Sequence, residues 1–264
     1  MSIFWILLLA LVQGLTEFFP VSSSAHLTIL GALAGIKEED VLVFFLVLHA
    51  GTFLATIVFF GKDLWALFLG LVRLDRPSWR YAGLIVLTTI PTGLIGLTAK
   101  PYVQKAETMP ALAGSVLFFT AVYLWCTKYL PAGTKADCDI TWLDALLIGL
   151  AQGVAVLPGI SRSGATISSG LARGLKREAA FRYSFLASLP AIGGAFLLEA
   201  RHAFTAANPE MWDDVMGAAV SFGAGLFALW LWRRTVVKHG PHVFAFWCRA
   251  TACLGIGVAL FLNR

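Results

Sequence analysis

The stretch QGLTEFFPVSSSAH, residues 13–26, decides how this sequence folds, because it interrupts an otherwise apolar run. It places an amide, a carboxylate, three hydroxyls and an imidazole within one short segment. A helix that crosses a membrane needs about 20 apolar residues, and neither flank supplies that many. The region from 3 to 35 therefore predicts two short helices and not one spanning helix.

The composition of the whole chain indicates an integral membrane protein. Of its 264 residues 58% are hydrophobic and 13% are charged, and the mean hydropathy is +0.79. Soluble domains average about 45–50% apolar and about 25% charged residues. The apolar runs have the length of helices and lack period-2 alternation, so they predict helices and not barrel strands. We predict an all-α fold with a single polytopic membrane domain, residues 1–264.

The net charge of +5 and the isoelectric point near 9.2 do not indicate nucleic-acid binding, because the basic residues are scattered through loops and form no dense tract. The four cysteines show no paired metal-ligand spacing, and three of them lie in apolar runs as small hydrophobes. We expect no nucleic-acid partner, and we assign the cysteines neither a disulfide nor a metal.

Six further runs are long enough to cross a membrane. They cover residues 41–60, 81–99, 111–129, 183–200, 215–232 and 243–262. A second interrupted region, 142–174, contains LPGISRSGAT and again supplies only short pieces. Non-helical backbone at membrane depth is tolerated where it lines a polar cavity, so both interrupted regions are predicted to be re-entrant helical hairpins.

The basic residues set the expected orientation. Threading six spans, with each hairpin returning to the side it left, places thirteen lysines and arginines on one side and five on the other. The richer side holds Lys62, Arg73, Arg76, Arg80, Lys128, Lys135, Arg173, Lys176, Arg177, Arg182, Arg233, Arg234 and Lys238; the poorer side holds Lys37, Lys100, Lys105, Arg201 and Arg264. The richer side should face the cytoplasm, which places both termini outside a cell (inner) membrane.

This threading makes the two hairpins enter from opposite sides. VQGLTEFFPVSSSAHLT and AQGVAVLPGISRSGAT share a Gln-Gly pair, a proline six or seven residues later and a serine-rich turn. Both features indicate an inverted-topology repeat, in which broken helices form a shared site near the membrane midplane.

The second motif, PGISRSGAT at 158–166, has the residue types of an anion-binding turn. Two glycines allow close backbone approach, three hydroxyls donate hydrogen bonds, and a helix is expected to begin just after the motif; these residues are Gly159, Gly164, Ser161, Ser163 and Thr166. Arg162 adds a planar fork of donors that suits phosphoryl oxygens. The alternative is a serine-rich turn whose arginine pairs with a buried carboxylate.

The first motif offers acid, base and nucleophile. Gln13 and Glu17 are spaced i, i+4 and share a helix face, and Glu17 is a candidate cation ligand or base. Pro20 is expected to end this helix. Ser22, Ser23 and Ser24 follow at the tip, where they are candidates for a nucleophilic hydroxyl or for further phosphate-binding donors. His26 is a candidate proton carrier. The alternative is that the serines cap a helix and His26 is an interior residue. We interpret His49, inside an apolar run, as an interior contact, and contact with the site is the alternative.

Together these motifs resemble those of the undecaprenyl-pyrophosphate phosphatases of the bacitracin-resistance type. The resemblance is carried by Gln13-x-x-x-Glu17, by FFPVSSSAH at 18–26, by PGISRSGAT and by the following GLKREAA. It extends over nearly the whole chain in motif order and span pattern. It implies hydrolysis of a C55 polyprenyl diphosphate to the monophosphate, which recycles the lipid carrier of cell-wall synthesis, with Mg²⁺ or Ca²⁺.

The resemblance also implies roles for individual residues. The acidic motif falls on Gln13 and Glu17, the serine and histidine on Ser23 and His26, and the arginine motif on Ser161, Arg162, Ser163 and Thr166. Many members have Glu where this chain has Gln13, which leaves one carboxylate fewer for a metal, and many have Gly where it has Ala25.

Two questions stay open at this point. The first is the mechanism: either Ser23 attacks phosphorus with His26 assisting proton transfer, or water attacks directly and Ser23 only orients the phosphate. A transporter or flippase of an anionic lipid or solute is the alternative function, because carriers also use inverted repeats with broken helices. Besides the lipid substrate, the membrane lipid and a possible homodimer are the expected partners.

Overall fold

A computed structural model describes residues 2–35, 38–106, 109–203 and 211–262 of the chain. Within these ranges the fold is helical, and an isolated bridge between Lys135 and Leu175 is the one extended pairing. The helices are α1 (Ile3–Thr16), α2 (Ser23–Ala34), α3 (Glu38–Phe59), α4 (Gly61–Val72), α5 (Arg76–Ala106), α6 (Pro110–Cys126), α7 (Trp142–Val154), α8 (Arg162–Ala172), α9 (Arg177–Ala203), α10 (Met211–Lys238) and α11 (Ala245–Leu262). The predicted all-α fold is confirmed.

The helices with the length and apolarity of membrane spans match the predicted runs. Among the described residues five single helices qualify, and a sixth span results if the bent pair Phe44–Phe59 and Gly61–Val72 is counted as one. The pair bends by 66° at the start of α4. Helix α4 was not predicted, because its polar residues Lys62 and Asp63 come just after the predicted run 41–60.

Both interrupted regions form pairs of short helices. α1 has 14 residues, α2 has 12, α7 has 13 and α8 has 11, so none of them reaches the length of a span. Two expected helix boundaries were wrong. α1 ends at Thr16 and not at Pro20, and α8 begins at Arg162, inside its motif, because the Ser161 side chain caps it by accepting from Gly164 N.

The two Gln-Gly pairs have a packing role. α1 lies against α10, and α7 lies against α5. A Cβ on Gly14 would stand 2.7 Å from the backbone oxygen of Ser221, and a Cβ on Gly153 would stand 2.5 Å from a side-chain carbon of Ile95. Small residues at these crossings let the backbones approach closely, which stabilises helix packing inside a membrane. Each Gln-Gly pair thus lies at a close helix crossing.

The remaining contacts bring the two tips together. α6 and α11 pack along each other, while α2 contacts both, and α8 contacts α6. Phe18, in the first tip, is fully buried, and its ring lies 5.7 Å from that of Phe185 on α9. This anchor holds the first tip against the body of the protein.

Many of the basic residues assigned to the richer side meet at one end of the bundle. Asp144 is fully buried there between Lys135 Nζ at 3.0 Å and Arg173 Nε at 2.7 Å. Burial favours the neutral acid, but bonds from the Thr141 backbone, Arg173 and Lys135 outweigh it and lower the pKa of Asp144 to about 2. Of the opposing set, Lys37 and Arg264 lie outside the described residues, as does the side chain of Arg201.

Candidate active site

Glu17 lies at the centre of a hydrogen-bonded cluster where the two hairpin tips meet. It is the C-cap of α1 and keeps helical backbone angles, so it shares a face with Gln13 one turn earlier. Gln13 Nε2 lies 3.2 Å from Glu17 Oε2, and Ser23 Oγ donates to the same oxygen at 2.6 Å. The carboxylate is therefore placed to accept the proton of the Ser23 hydroxyl.

Arg162 joins this cluster from the other half of the chain. Its Nη2 donates to Glu17 Oε1 at 2.5 Å, and the exposed fractions of the two side chains are only 17% and 10%. The arginine thus pairs with a carboxylate, as the alternative interpretation held. Its Nη1, however, is buried and has no hydrogen-bond partner among the described residues. One terminal nitrogen of the guanidinium is therefore left for a phosphoryl oxygen.

Two hydrogen bonds tie the tips to each other. Gly159 N donates to Ser22 Oγ at 3.2 Å, and Ser163 Oγ donates to the Phe19 carbonyl at 3.3 Å. The backbone is unusual at both ends of the first bond, because φ is 62° at Ser22 and 101° at Gly159. A positive φ is energetically unfavourable for serine, and residues in such strained conformations are typical of functional sites.

Several predicted phosphate ligands hold the tips in shape. Ser24 Oγ lies 3.1 Å from Ser22 Oγ, and Ser161 Oγ lies 3.2 Å from Ser163 Oγ. Thr166 Oγ1 bonds the Arg162 carbonyl at 2.8 Å, and Gly164 N bonds the side chain that caps α8. These contacts fix Arg162 in the first turn of α8, where the positive end of the helix dipole favours an anion.

His26 lies away from the Ser23–Glu17 contact. Trp247 Nε1 donates to its Nε2 at 3.0 Å, so Nδ1 carries the proton and donates to the Ser22 carbonyl at 2.8 Å. The ring is then neutral, and among the described residues no hydrogen bond joins it to Ser23. The geometry favours a role in fixing the backbone of Ser22, while its predicted role in proton transfer stays a prediction.

Three neighbours of the cluster, His49, Thr52 and Trp247, were not among the predicted site residues. His49 Nε2 lies 3.6 Å from Glu17 Oε2, and Thr52 Oγ1 lies 3.5 Å from Gln13 Nε2. Trp247 orients His26. The interpretation of His49 as a plain interior contact was incomplete, because a 22-residue apolar helix gives no sign of which of its polar residues faces the tips.

Gln13 has an acceptor that a cation would fit. Its Oε1 is buried and has no partner among the described residues, directly beside Glu17. Across those residues no group of three or more His, Cys, Asp or Glu side chains could hold a metal alone. Mg²⁺, however, is commonly bound by one or two carboxylates together with substrate phosphates. The donors present therefore fit a cation held jointly by protein and substrate.

Comparison with known proteins identifies the family. The family model described as bacitracin resistance protein BacA matches residues 6–254. The chain belongs to this family. Among its relatives, the undecaprenyl-diphosphatase of Desulfatibacillum aliphaticivorans is 39% identical over 97% of both chains. The undecaprenyl-diphosphatase of Carboxydothermus hydrogenoformans is 40% identical over 86% of this chain and 85% of its own.

A third undecaprenyl-diphosphatase, from Alkaliphilus metalliredigens, is 34% identical over 99% of both chains. Residues 6–254 of this chain, which the BacA family model matches, contain both hairpin tips. The resemblance to this family, first drawn from the two motifs, is confirmed.

Proposed function

We propose that this protein hydrolyses undecaprenyl diphosphate to the monophosphate and inorganic phosphate, and so recycles the lipid carrier of cell-wall synthesis. The observation that carries the proposal is the unpartnered Nη1 of Arg162 beside the Ser23–Glu17 hydrogen bond. A nucleophile, a proton acceptor and a phosphate-binding cation thus stand together. The BacA family and the names of the relatives support this activity over transport.

In the proposed first step Arg162 and the start of α8 bind the terminal phosphate. Glu17 takes the hydroxyl proton while Ser23 Oγ forms a bond to the terminal phosphorus. The bond from this phosphorus to the bridging oxygen breaks, and the lipid monophosphate leaves with that oxygen. Arg162 stabilises the charge that develops on the phosphoryl oxygens. Glu17 passes its proton to the departing lipid monophosphate and is a carboxylate again.

In the second step water attacks the phosphoserine and the bond from Ser23 Oγ to phosphorus breaks. Glu17 takes the proton of the attacking water and returns it to Ser23 Oγ. Inorganic phosphate then leaves and the Ser23 hydroxyl is restored. In the rival mechanism water attacks the diphosphate directly, and Ser23 only orients the phosphate. The 2.6 Å bond from Ser23 to Glu17 favours the serine as nucleophile, because the hydroxyl already donates to a base.

A divalent cation, Mg²⁺ or Ca²⁺, is part of the proposal. Glu17 and the unpartnered Oε1 of Gln13 would hold it together with substrate oxygens. When bound, it neutralises charge on the diphosphate. The protein's own groups, Arg162 and Ser23, remain responsible for binding and attack.

We infer that the chain has six spans and two re-entrant hairpins in an inverted-topology repeat, with both termini outside the cell (inner) membrane. The paired contacts α1 with α10 and α7 with α5 support the repeat. The basic residues gathered around Asp144 support a cytoplasmic position for that end. A homodimer remains a further prediction, to be checked by light scattering of the purified protein.

A phosphate-release assay tests the proposal. The purified protein is incubated with C55 polyprenyl diphosphate and Mg²⁺ or Ca²⁺, with Ser23→Ala as the matched negative control. We expect release by the wild type and none above background by the variant. No release with any cation, from protein that is monodisperse, would contradict the proposal and favour the carrier.

A further inference from the structure

A cavity of about 620 Å³ lies outside the proposed active site, at the arginine-rich end of the bundle. It is open to the surroundings and is lined by α4, the first turns of α5 and α9, and the turn Asp137–Asp139. Its volume is in the range of ordinary small-ligand sites. We call it the arginine cavity, because Arg76, Arg80 and Arg182 line it.

The charges of the arginine cavity are only partly neutralised. Arg182 lies between Asp63 at 3.5 Å and Asp137 at 3.3 Å. Arg80 donates to the carbonyl groups of Cys138 and Ile140. Arg76 has no hydrogen-bond or ion-pair partner in the part of the chain that the structure describes. The lining contains three arginines and two carboxylates, Asp63 and Asp137, so it carries an excess positive charge, which suits an anionic group.

Two buried polar atoms of the cavity also lack partners among the described residues. They are the hydroxyl of Tyr81 and Oδ1 of Asp137. A buried polar group without a partner is costly, so both atoms favour a ligand that supplies one acceptor and one donor. Burial raises the pKa of Asp137, and a donor to Oδ1 would stabilise its carboxylate.

Apolar and aromatic side chains surround the cavity. Leu67 and Leu186 supply apolar lining, and on α4 the side chains of Trp65 and Phe68 are 61% and 52% exposed. Aromatic side chains exposed next to arginines are typical of the membrane interface. A ligand that enters here comes from the headgroup region of the bilayer.

We propose that the arginine cavity binds the headgroup of an anionic phospholipid that carries a free hydroxyl, as phosphatidylglycerol does. The phosphate accepts from Arg76 and from the Tyr81 hydroxyl, and the headgroup hydroxyl donates to Oδ1 of Asp137. Basic pockets between membrane helices on the cytoplasmic side are suited to such headgroups. This site lies beyond the proposed phosphatase function and uses none of its residues.

Native mass spectrometry of the full-length protein in detergent, titrated with phosphatidylglycerol or phosphatidylcholine, tests the site. We expect one phosphatidylglycerol to bind the wild type about tenfold more tightly than it binds Arg76→Gln, because a hydrogen bond to a charged donor is lost. Tyr81→Phe should weaken binding several-fold. Arg73→Gln is the matched control, since Arg73 is exposed and does not line the cavity.

Three results would overturn the proposal: equal binding by Arg76→Gln and the wild type, an equal loss in Arg73→Gln, or equal binding of phosphatidylcholine. Inorganic phosphate that displaces the lipid at matched ionic strength would assign the cavity to free phosphate instead. Unchanged phosphate release from undecaprenyl diphosphate by Arg76→Gln and Tyr81→Phe shows that these variants are folded, so a loss of lipid binding then reports on the cavity.

Discussion

Ser23 donates its hydroxyl proton to Glu17 across a 2.6 Å hydrogen bond, so the first hairpin contains both the proposed nucleophile and its proposed base. Because the same carboxylate is paired with Arg162, residues 145 positions apart meet in one hydrogen-bonded cluster. His26 was predicted to assist proton transfer, and its hydrogen bonds lead to Trp247 and the Ser22 backbone.

Replacing Ser23 by alanine should lower kcat by about 10³-fold or more, because the attacking oxygen is removed. Ser115→Ala, at an exposed serine that only bonds the Ala111 carbonyl, is the matched control. Acid quench with radiolabelled diphosphate should trap phosphoserine on the wild type alone. Full turnover by Ser23→Ala would establish direct attack by water.

Arg162→Lys should lower kcat/KM by about 10²–10³-fold. A lysine ammonium can replace the bond to Glu17, but it cannot at the same time present a second planar donor in place of the unpartnered Nη1. Steady-state kinetics check this, with the exposed Arg249→Lys as control. Near-normal kinetics would exclude two-pronged binding by Arg162.

Substitutions of His26 separate positioning from proton transfer. Asn can donate to the Ser22 carbonyl as the His26 Nδ1 does, whereas Ala cannot. If His26 positions the tip, His26→Asn should keep at least about tenfold more activity than His26→Ala, with an unchanged pH profile of kcat. If it carries a proton, both variants should lose activity equally and one limb of the profile should disappear.

Gln13→Glu should lower the Mg²⁺ concentration for half-maximal activity by about tenfold, because it adds a second carboxylate beside Glu17. In the wild type the Gln13 amide nitrogen lies 3.2 Å from Glu17 Oε2. Titrating cation at saturating lipid measures the effect, and chelation should abolish phosphate release in both proteins. An unchanged or higher cation requirement would remove Gln13 from the proposed cation site.

Asp144→Asn should reduce the free energy of unfolding by roughly 2 kcal/mol at neutral pH, because Lys135 and Arg173 lose their shared buried partner. The folded-state pKa of Asp144 is lowered, so its contribution is present above the ordinary value of 3.8 and is lost as the pH falls towards about 2. Thermal unfolding in detergent should show that the difference in stability between the wild type and Asp144→Asn becomes smaller as the pH falls through this range. Asp139→Asn, at an exposed carboxylate, should change stability little.

The motifs predicted the helical fold and the contact between Gln13 and Glu17 because their signals are local. Apolar run lengths specified the spans, polar breaks specified the hairpins, and the i, i+4 spacing predicted the contact of Gln13 with Glu17. Partners distant in sequence had no such signal. Trp247 is 221 positions from His26, and the contact of His49 with Glu17 depends on how α3 is rotated about its axis.

The pairing of Glu17 with Arg162 has a consequence for how the protein is made. The two residues are 145 positions apart, so at about 5–20 residues per second the ribosome supplies the arginine roughly 7–30 s after the glutamate. Until then the Glu17 carboxylate lies in or near the bilayer without the arginine that pairs with it, which is unfavourable. Insertion of the second hairpin should therefore complete membrane integration of the first, and chains truncated before residue 162 should be preferred substrates for membrane proteases.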